Sequence, residues 1–242
     1  MEDIIVVMKE GNAIEIEDLS VQYTVFQKSG LLALIKAKTV EALKNLTFEV
    51  KKGESIAIIG RNGSGKTTLL KAIGGHLRPS SGKITTIGKV YTLSGANPGL
   101  IQDMSGRENV SLMSEIYGIE RDKRAEFERA VEDFCELGEA YDRDLRTLST
   151  GMAGRVGFGF TTSLDPEILL MDETLGVGDE IFRKKAEEKA KDFMKRGETI
   201  LLSTHSLNLA KKMCSRGILL SEGKILMDGD VDKVVERYLN EN

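Results

Sequence analysis

The sequence has few cysteines and no long apolar run. Its only two cysteines, Cys135 and Cys214, are far apart and have no His or Cys neighbour at a metal-ligand spacing. This pattern indicates buried or unreactive thiols in a reducing compartment. No apolar run approaches the roughly 18 residues that a membrane-spanning helix needs. Residues 1–10 are acidic before their apolar stretch, the opposite of a signal peptide. We therefore expect a soluble, cytoplasmic protein.

A basic excess is also lacking. The chain has 34 Lys and Arg against 38 Asp and Glu, a net charge of −4, so nothing favours wholesale binding of nucleic acid. Hydrophobic residues make up 40% and charged residues 30%, which is a globular balance. A length of 242 residues suits one large α/β domain, or a core with a smaller subdomain.

The strongest motif lies in residues 54–72. An apolar, β-branched run over residues 55–59 predicts a buried strand, and residues 68–72 begin a helix. Between them, residues 60–67 match G-x-x-x-x-G-K-[ST], which we call the phosphate loop. Glycines let successive N–H groups point at phosphate oxygens, and the helix start adds positive charge. We predict nucleotide binding by Gly60, Arg61, Asn62, Gly63, Ser64, Gly65, Lys66, Thr67 and Thr68.

The remaining pattern predicts the fold class. Strands alternate with helices, which indicates a mostly parallel sheet with helices on both faces. Residues 100–160 form predicted helices between two α/β stretches, and Ser105 and Glu108 open one of them as a capping box. The phosphate loop resembles that of P-loop NTPases, and this resemblance implies an α/β P-loop NTPase (RecA-like) fold. Its mixed catalytic core, with an antiparallel β part, would comprise residues 1–99 and 161–242, and a helical subdomain would be inserted at about residues 100–160.

Residues 29–38 interrupt this pattern. Leu31, Leu32, Leu34 and Ile35 cluster before two lysines. The segment is either an amphipathic core helix or a basic-flanked insertion that contacts a membrane or a membrane partner. Because it separates two predicted strands and insertions usually lie on the surface, the second interpretation is slightly favoured.

Polar groups follow two further strands. Asp172 and Glu173 follow the predicted buried strand of residues 167–171, whose last four residues are apolar, and His205 follows the strand at 199–204. In an open α/β sheet, ligands bind beyond the carboxyl ends of the strands. Asp172, with the Thr67 hydroxyl, would hold Mg²⁺. Glu173 would polarise the attacking water, and His205 would hydrogen-bond the γ-phosphate or that water.

A second small-residue motif, LSTGM at residues 148–152, opens a helix. Taken alone, Ser149 is a helix cap. The phosphate loop, LSTGM, ILLMDE at 168–173 and His205 together resemble the nucleotide-binding subunit of ABC transporters over essentially the whole chain. The resemblance implies an ATPase that binds ATP and Mg²⁺, with Lys66, Glu173 and His205 in catalytic roles.

The resemblance also implies a head-to-tail homodimer that closes on ATP. Ser149 and Gly151 would bind the γ-phosphate of the other subunit's ATP, and Asp179 would act across the interface. Tyr23 is the candidate for stacking on adenine, with Phe26 as its rival.

Several residues differ from the common ABC transporter motifs and indicate a particular group within the family. Thr150 and Met152 replace Gly and Gln of the common signature, DETLGVGD occupies 172–179, and SGRENV at 105–110 lacks a glutamine at the usual spacing. Gln102 is nearby but too close to Arg107. These features resemble the ATPases of exporters for O-antigen, teichoic acid or capsule polysaccharides.

The resemblance therefore predicts a motor subunit that is peripheral on the cytoplasmic face of the inner membrane. It would work with an integral membrane permease, docking through residues 29–38 and 95–117, and without nucleic acid. The alternatives are another ABC exporter, for drugs or lipids, or a non-transport ABC ATPase. Since the sequence ends at Asn242, we expect no additional carbohydrate-binding domain.

Overall fold

An antiparallel sheet forms the first layer of the protein. The computed structural model describes residues 11–29, 34–94, 99–172 and 180–241. Strands β1 (Asn12–Ser29) and β2 (Leu34–Lys51) form a long hairpin, and β4 (Ser81–Thr86) pairs with the other edge of β1. Burial alternates along β2 over residues 46–50, as expected for a sheet that buries one face. In β1, residues 12–14 and 19–21 are buried in succession, where register shifts interrupt the pairing with β2.

The hairpin corrects the prediction for residues 29–38. Strand β2 begins at Leu34, and the pairing continues outward through Lys28 with Ile35 and Ser29 with Leu34. Residues 34–38 are therefore strand, so neither a helix nor an insertion that breaks the hairpin describes them. Residues 30–33, with Leu31 and Leu32, lie outside the described residues.

The second sheet is mixed, and the predicted site residues Asp172 and His205 lie at or just beyond the ends of its strands. In the described part of the chain its order is β5-β6-β7-β3-β8-β9, and all neighbours are parallel except the edge pair β8 and β9. This confirms the mostly parallel sheet. The strands are β3 (Ser55–Ile59), β5 (Val90–Ser94), β6 (Ile168–Asp172), β7 (Thr199–Ser203), β8 (Arg216–Ser221) and β9 (Lys224–Asp230).

Helices cover both faces of this sheet, as predicted. On one face, α1 (Lys66–Ile73) and the antiparallel sheet share an apolar core with the mixed sheet. On the other face, a second core contains side chains of the remaining core helices. These helices are α5 (Glu180–Lys195), α6 (Leu207–Met213) and α7 (Val231–Asn240).

A third apolar core joins the helices between β5 and β6. It contains Val110, Val131, Val156 and Phe160. The helices are α2 (Gly106–Ile116), α3 (Arg121–Cys135) and α4 (Thr150–Ser163), with short 3₁₀ turns at Gly138–Asp142 and Leu145–Thr147. The division of the chain near residues 100 and 160 stays a prediction.

The SGRENV segment builds the start of α2. Ser105 and Glu108 form the predicted capping box, in which each side chain accepts a hydrogen bond from the other residue's backbone N–H. The Arg107 guanidinium pairs with the carboxylates of Glu132 on α3 and Asp142 in the following 3₁₀ turn, at 2.7 and 2.6 Å. The motif thus joins α2 to the rest of the helical core.

The loop before α2, residues 99–105, is held by Asn109, whose side chain is only 1% exposed. The Asn109 amide accepts from the Ile101 N–H at 2.7 Å and donates to the carbonyls of Ile101, Met104 and Ser105. The carbonyls of Gln102 and Met104 accept hydrogen bonds from the N–H groups of residues 146 and 145, respectively. The loop is therefore tied to the segment that leads into α4.

Both cysteines are free and buried, as predicted. Burial raises the pKa of the Cys135 and Cys214 thiols to about 12, so both stay protonated at neutral pH. Among the residues that the structure describes, none forms a helix that is long and apolar enough to cross a membrane.

Candidate nucleotide site

The phosphate loop lies between a fully buried strand and a helix. Strand β3 leads into it, and α1 begins at Lys66. Gly65 is the N-cap of α1 with φ of 111°, a backbone conformation that side-chain-bearing residues rarely adopt. The loop borders a cavity of about 410 Å³ lined by Ala42, Asn62, Gly63, Gly65, Lys66, Thr67 and Thr68.

Lys66 is the buried cation of this loop. Its side chain donates hydrogen bonds from Nζ to the carbonyl oxygens of Gly60 and Arg61, at 2.8 and 3.1 Å. The residue is only 5% exposed, so its charge lies in low-dielectric surroundings, where its attraction to phosphate is stronger than in water. This position agrees with the role that the motif predicts.

A turn distant in sequence clamps the outer side of the phosphate loop. Gly223, between β8 and β9, donates its N–H to the Ser64 carbonyl at 3.0 Å and accepts from the Lys44 N–H at 2.8 Å. Its φ is +78°, and a Cβ added there would lie 2.6 Å from the Ala42 carbonyl oxygen. The turn therefore joins the loop to β2 and leaves no room for a side chain.

We expect Gly223→Ala to weaken ATP binding by about 10-fold, because a left-handed alanine costs about 1–2 kcal/mol and the Cβ displaces β2 from the loop. Titration with a fluorescent ATP analogue measures this affinity. The matched control is Gly229→Ala on β9, where no atom lies within 4 Å of an added Cβ. An unchanged affinity in a folded Gly223→Ala protein would show that the turn does not support the loop.

Asp172 ends β6 with an unpaired oxygen. Its Oδ1 atom is buried and has no hydrogen-bond partner within the described ranges. Thr67, on the first turn of α1, is exposed to the loop cavity. A carboxylate and a hydroxyl are oxygen ligands of the kind that Mg²⁺ prefers, so the residues present fit this ion. Glu173 lies outside the described residues.

His205 lies on the opposite border of the loop. It is exposed in the turn after β7 and lines a cavity of about 350 Å³ with Arg61, Asn62 and Tyr238. The structure thus brings the predicted histidine to the predicted phosphate loop, although the two are 138 residues or more apart in sequence.

Tyr23 approaches the loop from the antiparallel sheet. Its hydroxyl lies 3.5 Å from Oγ1 of Thr68, and the residue is 37% exposed. Its cross-strand neighbour Val40 is also exposed. An exposed aromatic ring beside the phosphate loop suits stacking on a nucleobase. The side chain of the rival candidate, Phe26, lies outside the described residues.

Ser149 and Gly151 occupy a different part of the molecule. Ser149 caps α4, accepting a hydrogen bond from the Met152 N–H at 3.2 Å, and α4 packs against α2 and α3. Ser149 is exposed, and neither residue lines the two loop cavities just described. Asp179 lies outside the described residues. Within one chain, this motif is therefore separate from the phosphate loop.

Sequence reasoning missed the Gly223 clamp. The pair Glu222-Gly223 predicts a hairpin turn, and the turn is present. Its contacts with residues 42–44 and 64 join segments more than 150 residues apart, for which the sequence alone carries no local signal.

Comparisons with known proteins agree with these observations. A model of the ABC transporter family matches residues 43–176. The O-antigen export system ATP-binding protein RfbB of Klebsiella pneumoniae is 34% identical over 88% of this chain and 87% of its own length. RfbE of Yersinia enterocolitica is 38% identical over 77% of this chain and 78% of its own length. The teichoic acids export ATP-binding protein TagH of Bacillus cereus is 38% identical over 81% of this chain but only 36% of its own length.

Solved structures show the same fold. A structure described as the ATP binding subunit of an ABC transporter has a TM-score of 0.75 and 26% identity, covering 95% of this chain and 97% of its own. A dimeric ATP-binding cassette in a post-hydrolysis state, bound to ADP and Pi, has a TM-score of 0.74 and 23% identity, covering 90% and 98%.

Proposed function

This chain belongs to the ABC transporter family of ATPases, and we propose that it is the motor subunit of a polysaccharide exporter. ATP binding and hydrolysis would drive a lipid-linked glycan, of O-antigen, teichoic acid or capsule type, across the cytoplasmic membrane. The observation that carries this proposal is the phosphate loop with its buried Lys66, in a chain whose curated relatives are named as O-antigen and teichoic acid export proteins.

Each site residue acts on a different group of the bound ATP. Lys66 and the amides of the phosphate loop bind the β- and γ-phosphates, while Tyr23 supports the base. Thr67 and Asp172 would hold Mg²⁺, which neutralises phosphate charge when bound. Glu173 would orient and polarise the attacking water, and His205 would hydrogen-bond the γ-phosphate or that water.

Two copies would close on ATP. Ser149 and Gly151 are exposed or half-buried at the start of α4 and lie apart from the phosphate loop of their own chain. A helix start offers N–H groups and positive charge to an anion, so these residues suit the γ-phosphate of a second subunit. Asp179 would contribute to the same interface. The exposed Ser149 supports the proposal because a buried cap could not serve a partner.

The permease would dock on an apolar patch at the end of α2. Ile116 and its neighbour Tyr117 are 70% and 44% exposed, and Ile101, in the loop before the start of the same helix, is 44% exposed. Adjacent large apolar side chains that are exposed, as Ile116 and Tyr117 are, mark protein contacts. Together with residues 29–38, this patch would attach the subunit to the cytoplasmic face of the membrane.

We expect Ile116→Asp to reduce co-purification with the membrane subunit by about 10-fold, because it places a charge in an apolar contact. The ATPase rate of the isolated subunit should not change. The matched control is Leu239→Asp on α7, where the side chain is 59% exposed. Equal retention of the permease by wild type and Ile116→Asp would remove this patch from the docking surface.

The export function is tested with the purified complex. The subunit is co-expressed with a candidate multi-spanning membrane subunit, reconstituted, and supplied with lipid-linked glycan. Stimulation of ATP hydrolysis by the glycan, but not by a drug or a free phospholipid, is expected. Stimulation by a drug or a free phospholipid, but not by the glycan, would assign the subunit to another ABC exporter.

A further inference from the structure

The buried hydroxyl of Ser203 has no partner in the described structure. Ser203 ends β7, is 0% exposed, and its Oγ atom makes no hydrogen bond to any residue that the structure describes. Most buried hydroxyls in proteins are hydrogen-bonded, since leaving one unpaired costs free energy. An unpaired hydroxyl at this depth therefore needs an explanation.

The strand pattern places Ser203 on the α1 face of the sheet. In β7, Leu201 packs in the core that contains α1, whereas Ile200 and Leu202 pack in the core on the opposite face. Side chains alternate along a strand, so Ser203 shares the face of Leu201. Helix α1, which packs against β7, carries Lys66 and Thr67 at its start on this face.

The neighbour of Ser203 across the sheet is Asp172. The two residues are aligned partners in the parallel pair of β6 and β7. In β6, Leu170 packs in the same core as Leu201, so Asp172 points to the same face as Ser203. Both Oδ1 of Asp172 and Oγ of Ser203 are buried and unpaired in the described structure. The two oxygens are not hydrogen-bonded to each other, but adjacent strands lie about 4.8 Å apart, which leaves both oxygens within reach of one shared water.

We propose that Ser203 is a positioning residue for Asp172. Its hydroxyl donates a hydrogen bond to a water molecule that in turn donates to the Asp172 carboxylate, and this bridge fixes the orientation in which the carboxylate meets the divalent cation of the nucleotide. Hydrogen-bond partners behind a metal-ligating carboxylate hold its geometry in this way. The inference rests on the proposed function in taking ATP with a divalent cation as the ligand.

A purely structural role gives a different expectation. If the hydroxyl only filled space, alanine would remove an unpaired polar group, and neither the stability of the protein nor its affinity for the cation would fall. If the hydroxyl positions Asp172, the affinity for the cation falls while the stability does not. Ser203→Ala should keep the melting temperature of the nucleotide-free protein at or above the wild-type value while it weakens cation binding.

The experiment measures binding of Mn²⁺ by electron paramagnetic resonance of the free ion, with the full chain in excess over ATP and with the same ATP without protein as the reference, because ATP alone also binds Mn²⁺. We expect Ser203→Ala to raise the Mn²⁺ dissociation constant by about 10-fold. ATP affinity without a divalent cation, measured in EDTA, should stay within about 2-fold of wild type, since Ser203 has no assigned contact with the triphosphate.

The matched control is Ser114→Ala. Ser114 is also 0% exposed, but its hydroxyl donates to the Val110 carbonyl within α2, away from the nucleotide site. We expect this variant to bind Mn²⁺ and ATP as wild type does. Both variants lose one buried hydroxyl, so a difference in Mn²⁺ binding between them is due to where the hydroxyl lies.

Three results would overturn the inference. Ser203→Ala could bind Mn²⁺ as tightly as wild type, or it could lose metal-free ATP binding to the same degree as Mn²⁺ binding. Either outcome leaves the proposed function intact, because wild type still binds the ATP–cation pair. If wild type with ATP bound no more Mn²⁺ than ATP alone binds, the proposed function would fail as well.

Discussion

Replacing Lys66 with alanine is expected to lower the affinity for ATP by about 100-fold, roughly 2.7 kcal/mol, since a charge-assisted hydrogen bond to phosphate contributes on this scale. The Lys66 ammonium lies buried beneath the loop and already contacts two of its carbonyl groups. In the proposed role, Nζ meets the β- and γ-phosphates of bound ATP. Alanine leaves the loop amides in place but removes the one buried ammonium that the motif supplies.

Isothermal titration with ATP measures this loss, and Lys71→Ala is its matched control. Lys71 lies on the same helix, is exposed, and carries the same charge. We expect the control to bind ATP as wild type does. Comparable affinities of Lys66→Ala and wild type would refute the role of the phosphate loop, and equal losses in both lysine variants would indicate a general charge effect instead.

Replacing Glu173 with glutamine is expected to reduce the hydrolysis rate by about 10²–10⁴-fold, which is the usual contribution of a general base. The amide preserves the size of the side chain but cannot accept a proton from water. ATP affinity should stay intact, so the variant should accumulate as an ATP-bound dimer. Steady-state phosphate release and size-exclusion chromatography with ATP measure the two effects.

The control for this variant is Glu188→Gln. Glu188 is exposed on α5, so the same change there should leave turnover and oligomeric state as in wild type. Hydrolysis by Glu173→Gln at the wild-type rate would show that another group activates the water. A variant that lost both hydrolysis and ATP binding would assign Glu173 to nucleotide binding instead.

The parts of the fold that sequence patterns predicted well are local. The phosphate loop, the capping box of Ser105 and Glu108, and the cap at Ser149 each depend on residues within a few positions of one another. Their hydrogen bonds close over one turn of chain, so residue type and spacing suffice to predict them.

The hairpin shows where local patterns fail. Leu34 and Ile35 belong to a leucine-rich cluster that suggested a helix or an insertion, yet they pair with Ser29 and Lys28 across the strands. Whether a segment forms a strand depends on the residues of the strand that pairs with it, and the sequence of the segment alone does not contain that information. The same holds for Gly223 and Ser203, whose contacts arise from strands brought together by the whole fold.

The ties around Asn109 have a mechanical consequence. Ile101 projects into solvent from a loop whose next residues are bonded to the segment 144–146, and that segment runs within a few residues into Ser149. Ile101 is therefore connected to Ser149 through these backbone hydrogen bonds and only a few residues of chain. In the proposed complex, a force from the membrane partner at Ile101 and a force from a nucleotide at Ser149 would act through this same connection.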